Sequence, residues 1–288
     1  ALKVMLPAVA ANPDCRRRFL REARTAAALE HDHVVTIHQV GEAEGIPYLT
    51  MPLLEGETLE NRIRREKRLA LGEVLRIGRE IAEALAAAHR RGLVHRDIKP
   101  ANIFLEGRRG RVKVLDFGLA RAADAEGRAE EGAITQAGSV LGTPGYLAPE
   151  QATGDPVDAR SDLFSLGCVL YRMAGGGLPF AASTIMQYVR AVVRDEPVPL
   201  DERAPDLPVG LCRLVSRLLA KDPEERPPSA RDVASTLADL IEGEKPAEPP
   251  RQRRSKRTAG ARGGVPLSLL IGGAGALVVA LGVGLGAW

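Results

Sequence analysis

The stretch His95-Arg-Asp-Ile-Lys-Pro-Ala-Asn-Ile-Phe-Leu105, followed after a polar turn by Val112-Lys-Val-Leu-Asp-Phe-Gly118, decides the fold of this chain. Two apolar runs flank a turn that contains glycines, and this pattern predicts a β-hairpin. A hairpin brings its two ends together, so Asn102 and Asp116 are expected side by side. Amide and carboxylate oxygens at one point suit a hard cation such as Mg²⁺. Asp97, earlier on the same loop, is then a candidate base beside the cation.

The order and spacing of these residues resemble those of the protein kinase family. H-R-D followed at fixed spacing by N, a strand pair and D-F-G agrees with the motif set of that family. Asp97-Ile-Lys-Pro-Ala-Asn102 is similar to its Ser/Thr branch, above all to bacterial (Hanks-type) transmembrane Ser/Thr kinases. The resemblance implies an α+β, two-lobed fold, with a β-rich small lobe and a mainly helical large lobe. It also implies phosphoryl transfer from ATP to Ser and Thr hydroxyls of proteins, with Mg²⁺ or Mn²⁺ as the cation.

The resemblance assigns a role to each polar residue of the stretch. Asp97 would orient the substrate hydroxyl and accept its proton, and Lys99 would neutralise charge on the γ-phosphoryl group. Asn102 and Asp116 would bind the cation that bridges the phosphate oxygens. His95 is expected to be a packed structural residue rather than a base.

The first residues of the chain resemble part of the family's small lobe. Ala1-Leu-Lys-Val-Met-Leu6 is an apolar strand with one lysine, and Lys3 is the candidate ligand of the α- and β-phosphates. Residues 13–30 predict a helix, whose Glu22 would pair with Lys3. The family covers the phosphates with a Gly-rich loop upstream of this strand. No such loop stands in this sequence, so we expect a fragment that begins within the small lobe.

Two apolar runs, residues 34–40 and 48–54, predict paired strands of the small lobe joined by a turn at residues 41–45. By the resemblance, Met51 is the gatekeeper of the nucleotide site. The residues after it form the hinge whose backbone binds adenine, through the amide of Leu54 among other groups.

The rest of the sequence predicts a mainly helical large lobe. Residues 72–90 carry apolar side chains at helical spacing, and Gly92 follows as a C-terminal glycine. By the resemblance, Asp162 is a buried anchor for the catalytic loop, and Arg226 pairs with Glu150. Further helices are predicted at residues 161–174, 184–194, 209–220 and 229–241.

Residues 119–140 follow the D-F-G motif and show no periodicity, which indicates a loop. In the family this position is the activation segment. Thr135 and Ser139 are its candidate phosphorylation sites, and a phosphate there could pair with Arg96.

Two alternatives to an active protein kinase are considered. A pseudokinase that acts as a membrane-tethered scaffold usually lacks the nucleotide-binding Lys, the H-R-D Asp or the D-F-G Asp, and all three are present. A small-molecule kinase of the same fold is disfavoured by Ala148-Pro-Glu150 and by Gly142-Thr-Pro-Gly-Tyr146, which resembles a peptide-positioning loop. Thr143 resembles the threonine that bridges the catalytic aspartate and lysine.

The charge of the chain is unevenly distributed. The formal net charge of the 288 residues is +3, but six basic residues and no acid follow position 250. The preceding part has 34 basic and 37 acidic residues, so a nucleic-acid-binding surface is not expected. The three cysteines are odd in number and form no CxxC pair, which predicts neither a disulfide framework nor a zinc site. They are Cys15, Cys168 and Cys212.

The composition changes after residue 242. Residues 243–264 are rich in Pro and basic side chains and predict a linker. Residues 265–288 carry no charge and are long enough to cross a hydrocarbon core of roughly 30 Å. The basic run before them places the preceding domain in the cytoplasm, with the protein in the cell membrane as a single-pass kinase, and Gly282 and Gly286 form a GxxxG that could support a homodimer. The expected organisation is a partial small lobe (1–54), a large lobe (55–242), the linker (243–264) and a transmembrane helix (265–288).

Overall fold

The structure is a computed structural model that describes residues 1–117, 144–180 and 182–244. These residues belong to one compact unit, Ala1–Pro246. Among the helices of these ranges, none combines the length and the apolar character that crossing a membrane requires. Several predictions concern residues outside the described ranges, namely Thr135, Ser139, Thr143, most of the linker and residues 265–288.

The small lobe contains one antiparallel sheet and two helices. Its strands have the order β1-β3-β2, and β1 pairs with β3 in the register Lys3↔Leu49. Met5, Phe19 and Ala23 are buried between the sheet and the helices. The elements are β1 (Leu2–Val4), α1 (Pro7–Ala10), α2 (Pro13–Ala27), β2 (Gln39–Ala43) and β3 (Ile46–Thr50).

Helix α2 follows the prediction for residues 13–30 closely because its start is encoded locally. The Asn12 side chain accepts a hydrogen bond from the Asp14 amide at 2.9 Å, and Pro13 occupies the first turn, where it costs no hydrogen bond. Cys15 and Phe19 lie one turn apart on the buried face. The helix ends at Ala27, three residues before the predicted end.

The predicted strand at residues 34–40 is wrong in its limits. Strand β2 begins only at Gln39, whereas Val34 forms an isolated parallel bridge with Val114 of the second sheet. Val34 and Val35 are buried there, and an apolar run alone cannot reveal which partner buries it. The predicted turn at 41–45 is also too long. Glu44 and Gly45 make the turn alone, both with positive φ (53° and 78°), as a two-residue hairpin turn requires.

The predicted β-hairpin is confirmed. Strands β5 (Ile103–Glu106) and β6 (Arg111–Val114) are antiparallel, and Ile103 pairs with Val114 at the open end. A third strand, β4 (Gly56–Thr58), pairs with the outer side of β5. Gly107 and Gly110 in the turn have φ of 65° and 60°, a conformation that glycine adopts at no steric cost.

The large lobe is mainly helical, as predicted, and all five predicted helices are present with ends that differ by a few residues. Helix α4 (Leu71–His89) is the central element, and its buried face packs against α6 (Ala159–Gly175) and α10 (Ala230–Glu244). Gly78 of α4 lies so close to Leu170 that an added Cβ would be 2.5 Å from its side chain. The helices are α3 (Leu59–Glu66), α4 (Leu71–His89), α5 (Pro149–Thr153), α6 (Ala159–Gly175), α7 (Ile185–Arg194), α8 (Leu200–Arg203), α9 (Val209–Leu218) and α10 (Ala230–Glu244).

The predicted pair of Arg226 and Glu150 is confirmed and buried. The Arg226 guanidinium donates to both carboxylate oxygens, at 2.7 Å and 2.9 Å, and Ser161 donates to one of them at 2.6 Å. Burial by itself would raise the pKa of Glu150, but the hydrogen bonds from Arg226 and Ser161 outweigh it and leave the pKa below its ordinary value. Both members of the pair therefore stay charged. Through them the start of α5 is joined to Ser161 of α6 and to the segment that precedes α10.

Candidate active site

The loop that carries Asp97 is anchored by Asp162, as predicted. Asp162 is fully buried at the start of α6. Its carboxylate accepts hydrogen bonds from the backbone amides of His95 (2.8 Å) and Arg96 (2.7 Å). It also lies 2.8 Å from Nε2 of His89, at the end of α4. One carboxylate thus satisfies buried donors from two segments and sets the position of the loop.

His95 connects this loop to the D-F-G segment. The side chain is buried, and its Nε2 lies 2.7 Å from the carbonyl oxygen of Leu115. The ring packs edge-on against Phe117, with the centroids 4.7 Å apart. These contacts confirm the prediction that His95 is a packed structural residue.

The backbone is strained at two positions of the site. Arg96 and Asp116 have φ of 68° and 64°, in the left-handed region that costs a non-glycine residue about 1–2 kcal/mol. Such strain concentrates at functional sites, where the surrounding contacts hold it. Here the bonds of Asp162 and His95 provide those contacts on either side. No residue pattern in the sequence predicted this feature.

Asp97 is the centre of a polar cluster on the loop. Its Oδ2 lies 2.7 Å from Nζ of Lys99 and accepts a hydrogen bond of 2.8 Å from Nδ2 of Asn102. The same Nδ2 also donates to the Asp97 backbone carbonyl at 2.8 Å. The Asp97 side chain is 34% exposed, so its carboxylate is oriented by two neighbours and still accessible to a substrate hydroxyl.

The second polar group joins the two lobes. Nζ of Lys3, on strand β1, lies 2.7 Å from Oδ2 of Asp116. Both side chains are partly exposed, at 39% and 27%. Within the described residues Lys3 thus forms its ion pair with Asp116, and its expected pairing with Glu22, which is half-buried on α2, stays a prediction.

The hairpin brings the two candidate cation ligands together. The Leu115 amide donates to the carbonyl oxygen of Asn102 at 2.9 Å, which places Asn102 beside the residue that precedes Asp116. Asn102 uses Nδ2 to bond Asp97, so Oδ1 is the side-chain atom through which it would bind a cation. An amide oxygen and a carboxylate are donors that fit Mg²⁺, which usually fills its remaining positions with phosphate oxygens and water.

The candidate nucleotide-contacting residues lie between the lobes. Met51 lines a small apolar pocket together with Leu49, Ala26, Phe117 and Asp116. Its backbone bonds Ala1, the first residue before strand β1, at 3.0 Å and 2.6 Å. Leu54 follows in the chain that enters the large lobe and is half-buried. The adenine contact of Leu54 and the gatekeeper role of Met51 stay predictions.

Sequence reasoning missed Gln151, which links the loop to the segment after residue 143. Its Oε1 accepts from the Ala148 amide at 3.1 Å, and its Nε2 donates to the Arg96 carbonyl at 2.8 Å. A glutamine three residues after a helix start is a recognisable capping signal. That signal could have predicted the bond to Ala148, but not the bond to Arg96.

Comparisons with known proteins agree with this geometry. The family model that describes the protein kinase domain matches residues 1–237 of this chain. The serine/threonine-protein kinase PknB of Mycobacterium leprae is 38% identical over 253 residues, which cover 86% of this chain and 40% of the relative. The serine/threonine-protein kinase pkn2 of Myxococcus xanthus is 41% identical over 242 residues, which cover 83% of this chain and 29% of the relative. The crystal structure of the Mycobacterium tuberculosis PknI kinase domain superposes with a TM-score of 0.64 at 32% identity and covers 83% of this chain and 84% of that chain. The chain thus spans about two fifths of the length of PknB.

Proposed function

Because the chain belongs to the protein kinase family, we propose that it transfers the γ-phosphoryl group of ATP to Ser and Thr hydroxyls of proteins. The observation that carries the proposal is the polar cluster in which Asp97 contacts Lys99 at 2.7 Å and Asn102 at 2.8 Å. This cluster directly precedes strand β5 of the hairpin, and Asp116 follows strand β6 at the same open end. Phosphoryl transfer requires positioning and charge neutralisation more than covalent chemistry, and this arrangement of charges supplies both.

Each residue of the cluster has a distinct task in this reaction. The Asp97 carboxylate orients the substrate hydroxyl towards the γ-phosphorus and accepts its proton. The Lys99 ammonium, beside Asp97, balances negative charge on the phosphoryl group as it moves to the hydroxyl oxygen. Lys3 binds the α- and β-phosphates, which are not transferred. When ATP is bound, this contact would replace the ion pair that Lys3 forms with Asp116.

Asn102 and Asp116 are the residues that would hold a magnesium ion. When bound, the ion would neutralise charge on the phosphate oxygens. The amide of Asn102 has a further task, because Nδ2 orients Asp97. We therefore expect substitution of Asn102 to impair the orientation of Asp97 as well as cation binding.

Incubation of the full-length protein with labelled ATP and Mg²⁺ tests the proposal. We expect label on Ser or Thr residues of the protein itself and of an added protein substrate, and loss of label when EDTA removes the cation. Mass spectrometry of the product would show whether Thr135 or Ser139 carries phosphate. ATP binding without any phosphoryl transfer would favour a pseudokinase, and ATP consumption without labelled protein would favour a small-molecule kinase.

We further propose that the protein is anchored in the cell membrane by residues 265–288, which follow the linker at 243–264, with the kinase domain in the cytoplasm. The support is the sequence alone: the segment carries no charge, and the basic run before it agrees with the positive-inside rule. Gly282 and Gly286 would permit two copies to pair.

Membrane fractionation tests the anchor. We expect the full-length protein to stay in the membrane pellet after alkaline carbonate extraction, since a single spanning helix resists this treatment. A variant without residues 265–288 should move to the soluble fraction. Extraction of the full-length protein into the supernatant would contradict the proposal.

A further inference from the structure

Thr25 is an exposed hydroxyl residue in the last turn of helix α2. Its Oγ1 donates to the Arg21 carbonyl oxygen at 2.9 Å, which is a bond within its own helix. The proposed reaction assigns no task to this side chain. Because helix ends fray, a hydroxyl in the last turn can leave the helix and enter the active site of another kinase molecule.

The face of α2 around Thr25 is basic. Arg21 precedes Thr25 at the i, i+4 spacing that makes two side chains neighbours on a helix, and Arg24 is directly before it. Both arginines are exposed. Arg17, on the same face, pairs with Asp14, whereas Arg21 and Arg24 form no ion pair within the part of the chain that the structure describes. Their charges are therefore available to an anion.

A third arginine reaches this face from the large lobe. Arg91, in the turn that follows α4, donates from Nη1 to the carbonyl oxygen of Ala28. Ala28 comes three residues after Thr25 and therefore lies on the same face of the helix. Arg91 is exposed, and a guanidinium has five N–H donors, so it can bind a second acceptor. Thr25 is thus flanked by Arg21 on one side and by Arg91 on the other.

The contact between Arg91 and Ala28 joins the two lobes beside the active site. Helix α2 belongs to the small lobe and carries Glu22. The segment after Arg91 leads within four residues to His95 of the catalytic loop. A stronger link at this point would hold α2 against the start of that loop.

We propose that Thr25 is a phosphorylation site and that its phosphate links Arg21 of α2 to Arg91 of the large lobe. The inference rests on the proposed kinase function, which supplies the phosphoryl group through a second copy of this chain. Oγ1 of Thr25 forms a bond to the γ-phosphorus of ATP, and the bond from this phosphorus to the bridging oxygen breaks. ADP leaves, and the hydroxyl proton passes to Asp97 of the second copy.

The charges around Thr25 decide whether a phosphate strengthens the end of α2. A phosphothreonine carries about −1.5 to −2 charges at pH 7 and three acceptor oxygens. The C-terminal end of a helix disfavours an anion, so the phosphate alone would destabilise α2. Arginine binds phosphate through pairs of charge-assisted hydrogen bonds, and here it does so from two sides. These bonds outweigh the effect of the helix dipole, which salt screens at an exposed site, so the phosphate stabilises the domain.

Transfer between two full-length copies tests the site. Wild-type protein is incubated with Mg²⁺, ATP and an Asp97→Asn protein that contains a heavy nitrogen isotope, so that mass spectrometry distinguishes the peptides of the two copies. We expect phosphate on Thr25 of the Asp97→Asn copy. Thr25→Val in that copy should remove this phosphate. Ser235→Ala is the matched control, because Ser235 is an exposed hydroxyl residue on α10 near Asp239, and it should leave the phosphate on Thr25 unchanged.

Thermal unfolding of the same Asp97→Asn copy tests the link to the large lobe. We expect phosphorylation to raise Tm by about 2–4 °C, relative to a Thr25→Val protein treated in the same way, which corrects for phosphate at other residues. Arg91→Gln should reduce this shift to about zero, and Arg91→Lys should retain part of it, because lysine keeps the charge but not the paired hydrogen bonds. Arg213→Gln, at an exposed position on α9, should leave the shift unchanged.

Each outcome separates the inference from the kinase function. Phosphate on other residues but not on Thr25 would overturn the inference and leave the kinase function intact. A Tm shift that is equal with and without Arg91→Gln would overturn the link between the lobes. If Arg91→Gln does not fold, Arg21→Gln provides the same comparison from the other side of the phosphate. Absence of phosphoryl transfer to any protein would instead contradict the proposed function.

Discussion

Replacement of Asp97 by asparagine is expected to lower kcat for protein phosphorylation by about 10²–10⁴-fold. Asparagine has nearly the same shape but cannot accept the proton of the substrate hydroxyl. It also removes the negative charge that lies 2.7 Å from the Lys99 ammonium. ATP binding should persist, because Asp97 contacts neither Lys3 nor the hinge. The measurement is a comparison of kcat, from labelled product, with ATP affinity, from calorimetry, for both proteins.

Asp239→Asn provides the control for this substitution. Asp239 is exposed on α10, so the same chemical change there should alter neither kcat nor ATP affinity. Undiminished phosphorylation by Asp97→Asn would refute the assignment of the base. A parallel loss of ATP affinity would show instead that the variant disturbs the nucleotide site or the fold.

Replacement of Arg226 by alanine is expected to lower the free energy of unfolding by about 3–5 kcal/mol, because it leaves the Glu150 carboxylate buried without its counter-ion. The Glu150 side chain is only 8% exposed. Its partner Arg226 makes three further hydrogen bonds, to the carbonyls of Arg160, Ala220 and Lys221, and these carbonyls also lose a donor. Urea unfolding of the wild type and the variant measures the difference.

Arg160→Ala is the control for the buried pair. Arg160 forms ion pairs with Asp158 and Glu224, whose side chains are 52% and 78% exposed. Exposed pairs contribute about 0–1 kcal/mol, so this substitution should have a small effect. If the two substitutions lower the free energy of unfolding by the same amount, burial of the Arg226–Glu150 pair does not make it more important for stability than an exposed pair.

The cost of Arg226→Ala should also depend on pH. The folded state lowers the pKa of Glu150 below 4.5, its ordinary value. A depressed carboxyl pKa adds stability that is fully present above the pKa of the unfolded chain and is lost as pH falls through the pKa of the folded state. In the variant, burial without Arg226 favours the protonated form. The difference between the two proteins should therefore be full only above the raised pKa that Glu150 has in the folded variant, and it should shrink as the pH falls through that pKa and on below 4.5.

Much of the local structure followed from patterns within short segments. The pattern of residues 13–30 predicted α2, and the apolar spacing of residues 72–90 predicted α4. The glycines of the β5–β6 turn predicted a hairpin, and the hairpin predicted that Asn102 would approach the D-F-G segment. These features depend on residues within about one or two turns of each other, so the sequence expresses them directly.

Recognition of the site depended on motif order rather than on any single residue. A lone Asp-Phe-Gly predicts nothing, and the resemblance to kinases came from several motifs at consistent spacing. The same resemblance correctly indicated the buried partners Asp162, Glu150 and Arg226. Physical reasoning from the residues alone would not have paired the last two, because a charged side chain in the sequence does not reveal whether it is buried.

The sequence by itself thus determined the six longest helices, the hairpin at the site and the residues that form its polar cluster. Only the tertiary structure decided that Val34 bridges to Val114, that Lys3 contacts Asp116 and that Gln151 bonds the Arg96 carbonyl. Each of these contacts joins residues far apart in the chain. Such contacts form because packing of the whole domain removes both partners from water together, and no local pattern of residues carries that information.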